Sequence, residues 1–226
     1  MIYTERYMIS YREIRENENI RTYIRKADAS LASLGYTEHS FPHVTRVSEM
    51  AGYILRTLGY TEHKVELVMI AGYLHDIGNL VNRIEHSQSG AVMAFRILDK
   101  LGMDAEDIAD IVTAIGNHDE GTGTPVNEIS AALFLADKSD VRRSRVRNIE
   151  MSKFDIHDRV NYAVYSSSLT INEEKTEIVL DLGIDADYSS VADFFEIFLE
   201  RMILCKKAAD KLGLRFRLKI NNQLLM

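Results

Sequence analysis

Between Val65 and Leu74 the chain reads VELVMIAGYL, a stretch in which Glu66 is the single charged residue. A helix that is apolar nearly all round has no face to offer water, so other elements must surround it. Thr61 supplies an N-cap for this helix. The run then ends on His75 and Asp76, two side chains that are costly to bury, followed at once by Ile77 and Gly78. A carboxylate in such a place costs several kcal/mol unless a cation or several donors meet it. Gly78 is expected to let the chain turn away directly afterwards.

The surrounding sequence supplies the cover. Proline occurs twice, at Pro42 and Pro125, which favours helix. Val44, Val47, Ala51, Ile54, Leu55 and Leu58 form a stripe of helical period, with Ser40 as N-cap and Pro42 in the first turn. Gly90 to Leu101 reads as a further helix. Asp104 opens another, with Ile108, Ile111, Val112 and Ile115 in register, and Asn127 caps a fifth with Ile129, Leu133 and Ala136 inward. Asn19 to Leu34 adds a covering helix. After about residue 150 the character changes. FDIHDRVNYAVYSSS looks helical, LTINEEKTEIVLDLGI alternates like strands around a polar turn, VADFFEIFLERMILCKKAADKLG is a long helix with a glycine stop, and LRFRLKINN is a closing strand. The expected fold is mainly α, with an all-helical body over residues 1–150 and a small α+β annex over residues 151–226.

Charge and cysteine usage narrow the chemistry. The 27 basic residues against 34 acidic ones give a formal −7, which argues against a nucleic-acid polymer or an anionic membrane as partner. A local basic patch can still meet a phosphorylated small molecule. A single cysteine, Cys205, excludes an internal disulfide and a cysteine-based zinc knuckle, and its helical context predicts a buried thiol. The charged start and the lack of a membrane-spanning run of about 18 apolar residues lead to the expectation of a cytoplasmic protein.

Placed on the expected helices, the polar exceptions form a set. His43 precedes Val47 by four residues, and His75 follows Ala71 by four. His118 follows Ile115 by three and Ile111 by seven, and Asp137 follows Leu133 by four and Ile129 by eight, so both belong to core faces. His86, in the loop NRIEHSQSG, has no helical argument. One inward histidine is ordinarily a hydrogen-bonded core residue, and Lys138 or Arg142 could pair Asp137 structurally. Convergence of several such residues from separate helices points instead to a metal. Imidazole and carboxylate without thiolate suit Fe, Mn, Zn or Co, and six candidates suffice for two ions sharing one carboxylate.

The order of these residues resembles the HD superfamily of metal-dependent phosphohydrolases. HVTRV (43–47) resembles its opening helix and GYLHDIGN (72–79) its signature. EHSQSGA (85–91), AIGNHDEG (114–121) and LADKSDVRRSR (135–145) are similar to the branch of symmetrical dinucleoside-tetraphosphate hydrolases. The resemblance spans roughly residues 38–147 and implies an HD-type helical bundle. It implies that His43, His75, Asp76 and Asp137 hold a first divalent ion, and that Asp76 bridges to a second held by His86 and His118. Fe, Mn or Zn is the expected metal. The metal-activated water would attack a phosphate ester or anhydride of a nucleotide-like substrate, with no protein nucleophile. Arg46, Lys138 and Arg143 are the expected phosphate ligands, and Asp140 is expected to orient the water or protonate a leaving group. Asp119 is expected behind the ligands or in the loop, and His39, His63 and His157 at the surface.

Two departures stand out. The superfamily signature often continues HDIGK, and position 79 here is Asn. The annex has no counterpart in the compact hydrolase branch, and its strands and apolar helix suggest a homodimer interface or a lid. Other reactions fit the same ligands: a two-iron oxygenase, or a non-catalytic metal or nucleotide sensor.

Overall fold

The computed structural model describes residues 9–148, 150 and 153–226. Among them, α1 (Tyr11–Glu16) and α2 (Glu18–Ser33) lead into α3 (Phe41–Leu58) and α4 (Glu62–Leu74), which pack along one another. The apolar run is where its composition requires it to be: Val65, Leu67, Val68, Ile70, Ala71, Tyr73 and Leu74 are buried in α4, which also meets α1. Thr61 caps α4 by accepting from the Lys64 N–H. Ser40 holds the N-cap position of α3, but its side chain makes no cap bond, and Pro42 removes one of the donors it would have served.

A 3-10 turn, Ile77–Leu80, leads to α5 (His86–Leu101), followed by α6 (Ala105–Gly116) and α7 (Glu128–Ser139). Helix α5 begins four residues before the expected Gly90, because Glu85 takes a left-handed conformation (φ 55°) and starts the helix there. His86 is therefore the first residue of a helix and not a loop residue. Asn127 and Ser130 form the capping box of α7.

The annex opens with α8 (Ile156–Ala163). The helix expected through Ser168 stops at Ala163, and the chain runs on as β1 (Val164–Ile171), antiparallel to β2 (Glu177–Ile184). A long helix, α9 (Val191–Lys211), then crosses over to β3 (Arg215–Ile220), which pairs parallel with β2; β4 (Gln223–Leu224) completes the sheet in the order β1-β2-β3-β4. Helix α9 packs against both β3 and α7. Its stripe Phe194, Phe198, Met202 and Cys205 joins the same hydrophobic core as the body. With that cover, every residue from Ile129 to Ser139 of α7 is buried. Burial pushes the Cys205 thiol up to about 12, so it is an inert core residue. Among the described residues no helix is long and apolar enough to cross a membrane.

Candidate metal centre

Four helix ends and one helix face bring the polar set together. His43 lies in the first turn of α3, His75 caps the C-terminus of α4 with Asp76 next to it, His86 opens α5, His118 follows α6, and Asp137 sits in α7. All six are buried, with His43 and His75 at 0% exposure. The approach of α5 depends on Gly78. A Cβ there would lie 1.9 Å from the His86 carbonyl oxygen and 2.4 Å from the Gly90 nitrogen. Gly78 is not in the left-handed region; its missing side chain admits a neighbouring backbone, which differs from the turning role its sequence position suggested.

The hydrogen bonds decide which imidazole nitrogen faces the centre. Nδ1 of His75 lies 2.8 Å from the Gly72 carbonyl oxygen, Nδ1 of His86 3.1 Å from that of Arg83, and Nδ1 of His118 2.6 Å from that of Ile115. A carbonyl only accepts, so each Nδ1 carries the proton and each Nε2 presents a lone pair. Nδ1 of His43 likewise meets Asp140 Oδ2 at 2.8 Å. The Nε2 atoms then face one another: His43 and His75 at 3.3 Å, His86 and His118 at 3.1 Å. Lone pairs opposed at such distances call for a positive charge between them.

Asp76 spans the two pairs. Its Oδ2 lies 3.4 Å from His43 Nε2 and 3.2 Å from His75 Nε2, while its Oδ1 lies 3.4 Å from His86 Nε2 and 3.9 Å from His118 Nε2. Asp137 Oδ1 joins the first pair, 3.4 Å from His43 and 3.7 Å from His75. The trios His43–His75–Asp76, His75–His118–Asp137 and Asp76–His86–His118 each place three ligand atoms within 4.8 Å of one another. The donor set therefore fits one or two divalent ions.

Electrostatics agree with that fit. Burial opposes charge on Asp76, yet His75, His39 and His43 hold its carboxyl well below the usual range. Asp137 behaves alike, with Lys138 and His43 outweighing burial. Burial pulls His43 down and Arg145 adds to this, but the carboxylates of Asp137, Asp140 and Asp76 raise it to about 10. Burial lowers both His86 and His118, keeping them neutral as ligands must be.

Asp76, His86, His118 and Asp137 face a cavity of about 460 Å³, with His43 and His75 fully buried. Of the expected phosphate ligands, Lys138 lines this cavity, its Nζ 2.7 Å from Asp137 Oδ2 and 3.3 Å from Glu120. Arg46 does not line it; it pairs with Asp140 at 3.2 Å and donates to the Ser167 carbonyl. Arg143 turns to the annex instead, stacked over Tyr162 and Tyr188 and donating to the Tyr162 carbonyl at 2.6 Å. Asp140 is 2% exposed and held by His43 and Arg142, so it orients His43 and is shut off from a reacting water. Cavity residues the sequence did not single out include Arg83, Glu120 and Arg201. His39, expected at the surface, is half-buried beside the His43 ring and lines the cavity, as do Asp119 and the exposed His157; His63 is exposed and pairs with Asp107. Asn79 is buried and donates from Nδ2 to both Oδ1 and the carbonyl of Asp76, each at 2.9 Å.

Comparison with known proteins adds three findings. The family model described as HD domain matches residues 41–155. An uncharacterized protein of Methanocaldococcus jannaschii is 25% identical over 210 residues, covering 83% of this chain and 79% of its own. The crystal structure of a predicted HD superfamily hydrolase from an uncultured Thermotogales bacterium shares 27% identity over 55% of this chain and 67% of that one, with a TM-score of 0.44.

Proposed function

Because the chain belongs to the HD-domain family, we propose that it is a metal-dependent phosphohydrolase acting on a phosphate ester or anhydride of a nucleotide-like substrate. The observation that carries this reading is Asp76, which offers one oxygen to the His43–His75 pair and the other to the His86–His118 pair. In this reading His43, His75, Asp76 and Asp137 hold one divalent ion (Fe, Mn or Zn), and His86 and His118 hold a second with Asp76. Divalent ions in such a site lower the pKa of bound water and neutralise charge developing on phosphoryl oxygens. The residues of the chain do the positioning. Asp140 and three backbone carbonyls fix the imidazoles, and Asn79 fixes Asp76. Lys138, Arg83 and Arg201 bring cationic groups to a wall that also carries Asp119, Glu120, Asp155 and Asp158, and these cations are the groups that would meet phosphate. The cavity is within the range that holds small ligands, and the motifs shared with symmetrical dinucleoside-tetraphosphate hydrolases favour a nucleotide.

The test is phosphate release by the metal-loaded protein from phosphomonoesters, nucleotides and dinucleoside polyphosphates. Release is expected for at least one class and is expected to vanish in Asp76→Ala and His118→Ala. A fully loaded protein that hydrolyses none of them would end this reading, and iron-dependent oxygen consumption in its place would assign an oxygenase.

A further inference from the structure

The annex reaches the metal centre through a line of alternating charges. On α9, the Arg201 guanidinium donates from Nε to Glu120 Oε1 at 2.8 Å, with a second guanidinium nitrogen also 2.8 Å from that oxygen. Arg201 is steadied from below by the Phe198 ring, 4.1 Å from the ring centre. Glu120 lies in the loop just after His118 and is also 3.3 Å from Lys138 Nζ. Lys138 in turn holds Asp137 Oδ2 at 2.7 Å, which leaves Asp137 Oδ1 as the oxygen turned towards His43 and His75. Lys138 is itself buried, a state that a lone ammonium would not tolerate without both carboxylates.

We propose that Arg201 is a positioning residue for the metal ligand Asp137, acting through Glu120 and Lys138, so that the C-terminal helix completes the metal centre. The proposal rests on the metal-binding reading above. Arg201 pins Glu120, Glu120 pins Lys138, and Lys138 occupies one oxygen of Asp137 so that the other is presented as a single ligand atom. Partners one step behind a ligand commonly control its affinity; Lys138 stands at that step, and Glu120 and Arg201, two and three steps behind Asp137, act by holding Lys138 there. The family match ends at residue 155, so Arg201 extends the site beyond the matched segment.

The experiment is titration of the full-length metal-free protein with Co(II) alone, followed by calorimetry and by the visible absorption of bound Co(II), which reports the ligand set and not global stability. Asp137→Ala identifies the binding step that depends on Asp137. Arg201→Gln and Glu120→Gln should each weaken that step by up to about 10-fold, the lower end of the range for groups that touch a ligand directly, and alter its spectrum. Combining them should cost little more than either alone, because both break one line of contacts. Arg201→Lys, which keeps the charge but loses the paired N–H donors, should fall between Arg201→Gln and the unaltered chain. If Arg201→Gln does not fold, Glu120→Gln and Arg201→Lys carry the same test. Unchanged affinity in these variants, or losses that simply add, overturns the proposal. Absence of Co(II) binding by the unaltered protein would instead remove the metal reading on which it rests.

Discussion

Asn79 shows what one residue can do when its neighbours are fixed. It replaces the lysine that often follows the signature glycine, and the structure gives it a different task. Its amide donates to Asp76 Oδ1 and its oxygen faces an Arg83 nitrogen at 3.4 Å. Asn79→Ala should therefore weaken divalent-metal binding by about 10–100-fold while leaving the fold intact; titration with Co(II) and far-UV circular dichroism check the two halves. Metal affinity equal to that of the unaltered chain would show that Asp76 needs no such support. At this scale His75, His118 and Asp137 were legible in the sequence, because each interrupts an apolar periodic face. Arg201 and Glu120 were not. Both read as ordinary solvated charges: Glu120 in NHDEG, although His118 stands two residues before it, and Arg201 in FLERM, which only the packing of α9 on α7 brings to the site. His39 escaped for the same reason: its polar neighbours suggest a surface, and its ring contact with His43 is tertiary.

Among the elements, the junction between the 3-10 turn and α5 carries the most consequence. The Asp76-His86 approach exists because the α5 backbone lies against Gly78. A methyl group at Gly78 cannot be absorbed by a flexible side chain, since its nearest atoms belong to backbone. Gly78→Ala should destabilise the protein by about 1–3 kcal/mol or more, read as a shift of the urea midpoint at constant slope. It should also loosen metal binding through His86 and His118. A variant as stable as the parent would mean that α5 can slide without loss. The helices of the body were legible because apolar content and cap agree, as at Thr61 and Asn127. The end of α8 was not, since VNYAVYSSS holds no glycine or proline to mark it. Pairing with β2 draws Val164 onward into a strand, a decision made by residues some twenty positions away.

The molecule as a whole is organised around α7, which α3, α4, α6 and α9 all contact. The candidate metal centre sits where these helices meet, so under the proposed metal-binding role, binding and folding should be linked. A free metal concentration about 100-fold above Kd contributes about 2.7 kcal/mol to stability. Chelation should then lower Tm by roughly 2–4 °C for each kcal/mol lost. Differential scanning calorimetry with and without EDTA measures this shift, which should be absent in Asp76→Ala; an unmoved Tm in the parent protein would separate the centre from the fold. The general α-plus-annex plan could be read from periodicity alone, but the closeness of the two parts could not, because it depends on a shared core and on contacts between distant segments. The outer side of β1 shows a further effect of that closeness. Its Ser167 carbonyl accepts from Arg46 and its Ile171 N–H points to the Tyr53 hydroxyl, while a bulge interrupts the register between Val164 and Ser166. An open strand edge invites pairing with a neighbouring chain. Here two side chains of α3 engage that edge, so the body covers part of a strand that would otherwise be open to pairing.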